Sequence, residues 1–576
     1  MDLAHLVAVA RGGEPADLVL RNARLVDVLS PDIVAADIAV AEGAVAGIGR
    51  GYRGRESIDL RGRYVCPGFI DAHVHPESCL ARPWEFARAV VPRGVTTVVA
   101  DPHEIGSVAG VAGIRYLLDD AGRAPLRLFV NVPSCIPATH LATSGAAVAP
   151  DDFGSLFRDP RVLGLGEVMD FRGVVSGDRR ALAAVEAARG RPVDGHAPGL
   201  GGRDLNAYVA AGIGSDHECA SADEAREKLR LGMTIFVREG SAARNLAALL
   251  PLATPCTERR LCFCTDDRQP ADLLDEGSID FLVRRAVAAG VPPLAAIRMA
   301  TLNPAEHFRM PDRGAVAPGR RADLVVFGDL GDARPDLVYI GGVLAARDGV
   351  PAGPAWEAGG APPAPEVRET VRVDWSRTGF GIPAAGRRMR VIGIVPDQII
   401  TGSLVLPPRV RAGLAVADPD RDLLKIAVIE RHRASGRTAL GFVKGAGLKE
   451  GAIAGTVAHD HHNLIVVGAD DASMATAARA VAAAGGGQAA ARGETVLALL
   501  PLPIAGLMSE EPVERVRDRV RALAAAARSL GSPLRDPFMT LSFLGLEVVP
   551  ALKITDLGLV DVEAQAIVPL FAESRG

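Results

Sequence analysis

The sequence predicts an α/β chain: a (β/α)8 TIM-like barrel, a small β-sandwich built from N-terminal and post-barrel strands, and a C-terminal α/β domain. Three observations carry this. From residue 64 onward, apolar β-rich runs alternate with helical patterns, the grammar of parallel strands and crossover helices. The runs number eight, the count of a closed barrel of this type. Ionisable residues close nearly every run, where catalytic groups of such barrels gather.

Composition bounds the class. At 576 residues, more than one domain is expected. The 48% hydrophobic and 23% charged content is that of a globular chain. A formal net charge of −5 argues against a protein that tracks nucleic-acid phosphates, so no nucleic-acid partner is expected. No apolar run is long enough to span a bilayer, so no membrane partner is expected either. The first residues, MDLAHLVAVARGGEP, lack a basic leader and predict a helix rather than a signal peptide. Seven cysteines, odd in number and without a CxxC pair, predict reduced thiols in a cytoplasmic protein.

The elements follow in order. Residues 1–66 form the N-terminal part of the small β-domain, with alternating strands in "DLVLRNARLVDV", "IVAADIAVAEGAVAGIG" and "SIDLRGRYV". Residues 67–310 form the barrel. Its eight runs are "YVCPGFIDAHVH" (64–75), "VTTVVAD" (95–101), "LRLFVNV" (126–132), "VLGLGEV" (162–168), "PVDGHA" (192–197), "GIGSDHE" (212–218), "TIFVRE" (234–239) and "LCFCTDD" (261–267). A helical stretch, "AIRMATLNPAEHF" (296–308), closes it. Residues 311–350, with "GRRADLVVF" and "PDLVYIGGVL", supply strands that return to the N-terminal sheet. The Pro-, Ala- and Gly-rich segment 351–366 is a linker. Residues 367–576 form the C-terminal α/β domain, with β-like runs "HNLIVVGAD" and "ETVLALLPLP" and an amphipathic helix over 511–528.

The strand ends carry the chemistry. The first run ends in His73 and His75, two apart and therefore on one face. The second ends in Asp101, followed by His103 and Glu104; the fourth ends in Glu167, the fifth in His196 and the sixth in His217. Glu239 closes the seventh and Asp266 the eighth. Each alone has a bland explanation as a cap or surface group. Together they are costly to bury unless paired or bound to metal. Four histidines, one Glu and one Asp can hold two divalent cations, and imidazole with carboxylate suits Zn, Mn or Fe. Such a cation lowers the pKa of bound water.

These residues resemble the adenine deaminases of the amidohydrolase superfamily. The motifs are "PGFIDAHVHPES", "ADPHEI", "GEVMD", "DGHAPGL", "SDHE", "VREGSA", "FCTDDR", "MATLNPAEHF" and, near the C-terminus, "HDHHNLIVVG", "LPLPIAGLMS" and "DPFMTLSFL". The resemblance implies that His73 and His75 bind one metal, that His196 and His217 bind a second, and that Glu167 bridges them. Asp266 completes the first site and shuttles the proton. It also implies deamination of adenine to hypoxanthine, with Glu104 as first candidate to protonate ring N1 and Glu239 as second. Asp101 and His103 would orient neighbouring groups, with Asp101 alternatively a plain strand cap. Mn or Fe is expected from the added carboxylate, with Zn not excluded. The expected partner is adenine itself, and the chain is expected to be a homo-oligomer, dimer or tetramer.

Competing signals are weaker. His75-Pro76-Glu77 matches the H-x-E of polynucleotide deaminases, but their PCxxC partner is missing. The family's "HxESS" serine is Cys79 here. "GAGLKEG" and the Gly485–Gly487 triplet lack the spacing of a phosphate-cradling loop. A cyclic-amide hydrolase of the same superfamily calls for Lys at the position of Glu167. A non-catalytic scaffold would have lost ligands. The His459–His462 cluster has by spacing alone the residues of a metal site, and its plainest reading is a surface turn before "NLIVVG"; the loop is expected to pack over the barrel mouth and help exclude water.

Overall fold

The computed structural model describes residues 2–396 and 398–572. The barrel strands are short and apolar: β1 (Phe69–Val74), β2 (Val95–Ala100), β3 (Arg127–Val132), β4 (Val162–Val168), β5 (Val193–Gly195), β6 (Ser215–Asp216), β7 (Thr234–Arg238) and β8 (Leu261–Cys264). β1 to β5 pair in sequence order, as do β6 to β8, and every pairing is parallel. Between β5 and β6 the Gly214 amide donates to the Val193 carbonyl at 2.9 Å. A parallel bridge between Val74 and Asp266 joins β1 to β8 and closes the ring. The expected TIM-type barrel is therefore present. β5 and β6 run only three and two residues, and each ends one residue before a histidine.

Two expected elements divide. The run over 64–75 breaks at Gly68, where a Cβ would collide with the Thr96 side chain. Tyr64–Pro67 leaves the barrel, and Phe69–Val74 is β1. The helical stretch over 296–308 is two helices, Pro293–Met299 and Leu302–His307. Pro304 explains the break, since its ring would clash with the carbonyl of residue 300 in a continuous helix.

Tyr64–Pro67 pairs antiparallel with Leu324–Phe327, so strands before and after the barrel share one nine-stranded sheet. Leu18, Leu20, Val40, Leu324, Val326 and Tyr339 pack in a single apolar cluster. A bridge from Ala44 to Arg321 brings the outer hairpin back to the post-barrel segment, folding the sheet over itself.

The C-terminal region holds an eight-stranded sheet. The expected runs become Leu464–Gly468 and Thr495–Pro501, and the amphipathic helix spans Val513–Ser529. Its core merges with the barrel's: Val74, Leu165 and Val237 belong to one apolar cluster with Ile426, Ile465 and Leu541. That continuity holds the C-terminal sheet on the barrel. Residues 456–463 connect two adjacent antiparallel strands, Ala452–Gly455 and Leu464–Gly468. All seven cysteines are free thiols. Among the described residues no helix is long and apolar enough to cross a membrane.

Candidate active site

β1 places His73 and His75 at the barrel mouth, and the turn after β8 places Asp266 against them. Asp266 adopts φ 55°, a left-handed conformation that aspartate tolerates better than most residues. Its amide donates to the His73 carbonyl at 3.0 Å, which locks the turn to β1. Below it, buried Asp71 accepts from the Thr265 hydroxyl at 2.5 Å and the Thr265 amide at 3.1 Å. Burial pushes the Asp71 carboxyl up to about 7.

Six side chains converge. His73 Nε2 lies 3.2 Å from His75 Nε2 and 3.5 Å from Asp266 Oδ1; His75 Nε2 is 3.1 Å from the same oxygen. Glu167 sits between the two histidine pairs. Its Oε1 is 3.5 Å from His75 Nε2, and its Oε2 is 2.6 Å from His196 Nδ1 and 3.2 Å from His217 Nε2. Burial opposes charge on Glu167, but His196 and His217 hold its carboxyl well below the usual range.

The donor set fits divalent cations. His75 Nδ1 is 2.8 Å from the Asp101 carbonyl, which only accepts, so Nδ1 carries the proton and Nε2 presents a lone pair. That lone pair faces a second imidazole nitrogen and a carboxylate oxygen. Nitrogen lone pairs crowded in this way need a cation or a proton between them. His73, His75 and Asp266 form one group able to hold an ion; His73, Glu167 and His217 form another. The second histidine pair faces the Glu167 carboxylate, through His196 Nδ1 and His217 Nε2, while His217 Nδ1 on the far side is buried without a hydrogen-bond partner. Imidazole and carboxylate in this mixture suit first-row divalent metals.

Beside this centre stand Asp101, His103 and Glu104. Asp101 Oδ2 accepts from the Glu167 amide at 2.8 Å, so it fixes the end of β4 rather than capping its own strand. His103 reaches Asp101 Oδ1, Glu167 Oε1 and Glu104 Oε1, each at 3.4 Å. Burial disfavours its charge, yet Glu104 and Asp101 carry its pKa well above the ordinary value. Glu104 lies in the first turn of helix His103–Ala121, where the helix dipole also favours a carboxylate. His459 Nδ1 lies 2.5 Å from Glu104 Oε1, and His462 Nε2 contacts Glu104 Oε2.

Glu239 is not brought to the imidazoles. Its carboxylate accepts from the Leu246 amide at 3.3 Å and faces Arg244, Arg285 and Arg268. Side chains alternate along β7, so it is Arg238 that points with Phe236 toward the centre. Arg238 Nη1 donates to Asp266 Oδ2 at 2.9 Å, and its fork grips Glu218, with Nη2 3.0 Å from Glu218 Oε2. Burial opposes ionisation of Asp266, but Arg238 and the two histidines hold it well below the usual range. Glu218 in turn lies 3.5 Å from His217 Nε2 and 3.7 Å from His196 Nδ1. Sequence reasoning passed over both residues. Arg238 shares the parity of Phe236, and Glu218 closes the "SDHE" motif.

Comparisons with known proteins bear on this geometry. A family model described as "Amidohydrolase family" matches residues 64–345, and one described as "Adenine deaminase C-terminal domain" matches residues 398–566. A protein called adenine deaminase in Desulfatibacillum aliphaticivorans is 48% identical over 569 residues, covering 98% of this chain and 99% of its own. Another of that name in Methanothrix thermoacetophila is 49% identical over 575 residues, covering 100% of both chains. A third, in Cereibacter sphaeroides, is 48% identical over 568 residues, covering 98% of this chain and 99% of its own.

Proposed function

The chain belongs to the adenine deaminase family, and we propose that it hydrolyses adenine to hypoxanthine and ammonia at the barrel mouth described above. The observation that carries this reading is the seating of Glu167 between the His73–His75 and His196–His217 pairs, in a chain matched almost end to end by its relatives. A native carboxylate there needs no carbon dioxide to serve as a bridge, unlike the lysine that a cyclic-amide hydrolase calls for.

In this reading His73, His75 and Asp266 would hold one cation, His196 and His217 would hold a second, and Glu167 would serve both. Manganese or iron suits the carboxylate-enriched set, with zinc as the alternative. When bound, the cations supply a water of lowered pKa and polarisation of the reacting centre. Asp266, kept ionised by Arg238, accepts a proton from the water that attacks C6 and passes it to the departing amine. Glu104, held ionised by His459, His462 and His103, serves ring N1 by relaying a proton from the protonated His103 at 3.4 Å, a proton regained when the hydroxyl on C6 becomes the carbonyl of the product. Asp101 holds Glu167 in place through its amide. We place the protein in the cytoplasm, in keeping with its free thiols, and take from the family resemblance that it works as a homo-oligomer.

The test is ammonia release from a panel of aminopurines and hydantoins, run beside metal analysis. Turnover of adenine with about two bound ions per chain supports the reading. Turnover of a hydantoin without adenine turnover refutes it.

A further inference from the structure

A second buried cluster lies a few ångströms from the proposed centre. Glu104, His459 and His462 bring a carboxylate and two imidazoles together, a set that by composition alone is able to hold a metal ion. The hydrogen bonding argues otherwise. The Ala458 amide donates to His462 Nδ1 at 3.2 Å. A nitrogen that accepts from an amide carries no proton, so the neutral ring bears its hydrogen on Nε2. Nε2 is the atom that meets Glu104. It therefore presents an N–H to the carboxylate and has no lone pair for a cation. His459 approaches the other oxygen through Nδ1.

The loop bearing both rings is braced. The buried Arg431 guanidinium donates to the His462 carbonyl and, at 2.9 Å, to the Ala505 carbonyl. His432 Nε2 donates to the His461 carbonyl at 2.8 Å. The His459 ring stacks on Phe543, 4.9 Å away and 16° from parallel. Asn463 ties the loop to the barrel by donating to the Thr143 carbonyl at 2.9 Å. A loop so supported holds its side chains in fixed places. The His459 Nδ1 hydrogen bond on one oxygen and the His462 Nε2 contact on the other fix the plane and the reach of the Glu104 carboxylate.

We propose that His459 and His462 are positioning residues through which the C-terminal domain clamps Glu104 in the orientation needed to serve ring N1. The proposal rests on the adenine deaminase reading for the role of Glu104, but the clamp itself is a structural claim that does not depend on turnover. The C-terminal sheet is then part of the active site, because it supplies the groups that orient a residue of the barrel.

The test compares variants that keep the N–H with variants that lose it, each purified with its metals. His459→Asn and His462→Gln retain a donor near Nδ1 and Nε2 respectively; His459→Ala and His462→Ala do not. Loss of the donor is expected to lower kcat by about 10²-fold with KM changed less than about threefold and metal content unchanged. The donor-retaining variants are expected to recover to within about tenfold of the parent. Alanine variants that keep kcat within about threefold at full metal occupancy overturn the proposal, as do donor-retaining variants no better than alanine. A second readout needs no activity. In the zinc-loaded enzyme, downfield imidazole N–H proton resonances should be lost in Glu104→Gln and in the corresponding histidine variants. Resonances unaffected by Glu104→Gln overturn the clamp. If the parent fails to deaminate adenine, the functional reading fails while these resonances still judge the clamp.

Discussion

Histidines and carboxylates are grouped twice at this barrel mouth, and the two groups carry their protons on opposite sides. Around Glu167, the His75 ring gives its Nδ1 proton to the Asp101 carbonyl and turns a bare Nε2 inward. Around Glu104, the His462 ring accepts the Ala458 amide at Nδ1 and turns an N–H inward. The residue types are the same and the burial is comparable. What differs is the backbone group behind each ring: a carbonyl in one case, an amide in the other. A carbonyl behind a histidine prepares a ligand, and an amide behind it prepares a hydrogen-bond donor. The lesson is that an imidazole's partner on the far side decides which chemistry its near side performs.

The largest test of this contrast is Glu167→Gln. The amide keeps the shape but loses the charge that faces His75, His196 and His217. Activity on adenine should fall on the order of 10³-fold or more, about 4 kcal/mol in the barrier. Metal content measured by inductively coupled plasma spectrometry should fall with it. A variant that kept both would place the cations elsewhere and dissolve the contrast.

Asp266→Asn comes next. The side chain still reaches His73 and His75, but it no longer accepts a proton. A loss in kcat of roughly 10²–10⁴-fold, with KM little changed, is expected from steady-state assays. Equal losses in metal content and rate would assign Asp266 to holding a cation alone.

Metal counting sharpens the comparison further. Titration of chelator-stripped protein with Mn should saturate at about two ions per chain, both in the parent and in His462→Ala. A third ion that disappears in His462→Ala would show that the Glu104 cluster binds metal and that the tautomer argument fails.

Much of the first cluster was legible because it obeys simple periodicity. His73 and His75 are two apart at a strand end, and Glu167, His196 and His217 each close an apolar run. The barrel itself was legible from eight such runs, even though β5 and β6 shrink to three and two residues. The second cluster was only half legible. "HDHH" stands out in the sequence, but its partner Glu104 lies 355 residues away, and no local pattern encodes a contact across domains. Arg238 and Glu239 show a different failure. Both are charged neighbours at the end of one strand, and choosing between them needs the parity of the strand, which Phe236 supplies only once the interior face is known. The break at Gly68 was hidden because an apolar run does not say which of two sheets its halves join.

The smallest expected effect concerns how dry the second cluster is. Glu547 lies fully inside, beside the cavity lined by Asp460, His461 and Thr139. Its Oε1 accepts from the Thr139 hydroxyl at 2.9 Å, while Oε2 is buried without a partner. Burial, with the nearby Asp460 charge, pushes its carboxyl up to about 8. In the unfolded chain a glutamate titrates near 4.3. The folded state therefore binds the proton more tightly, and the stability this gives is fully present below about pH 4. It drains away as pH rises toward about 8, where the folded carboxyl also ionises. Glu547→Gln keeps an acceptor for Thr139 but has no charge to bury. Relative to the parent, its melting temperature should rise between pH 5 and pH 8, by at least about 1 °C over that span. Differential scanning calorimetry at the two pH values measures this. A difference that does not change with pH would mean that water reaches Glu547, and a wet flank there would also let water compete with His459 and His462 for Glu104.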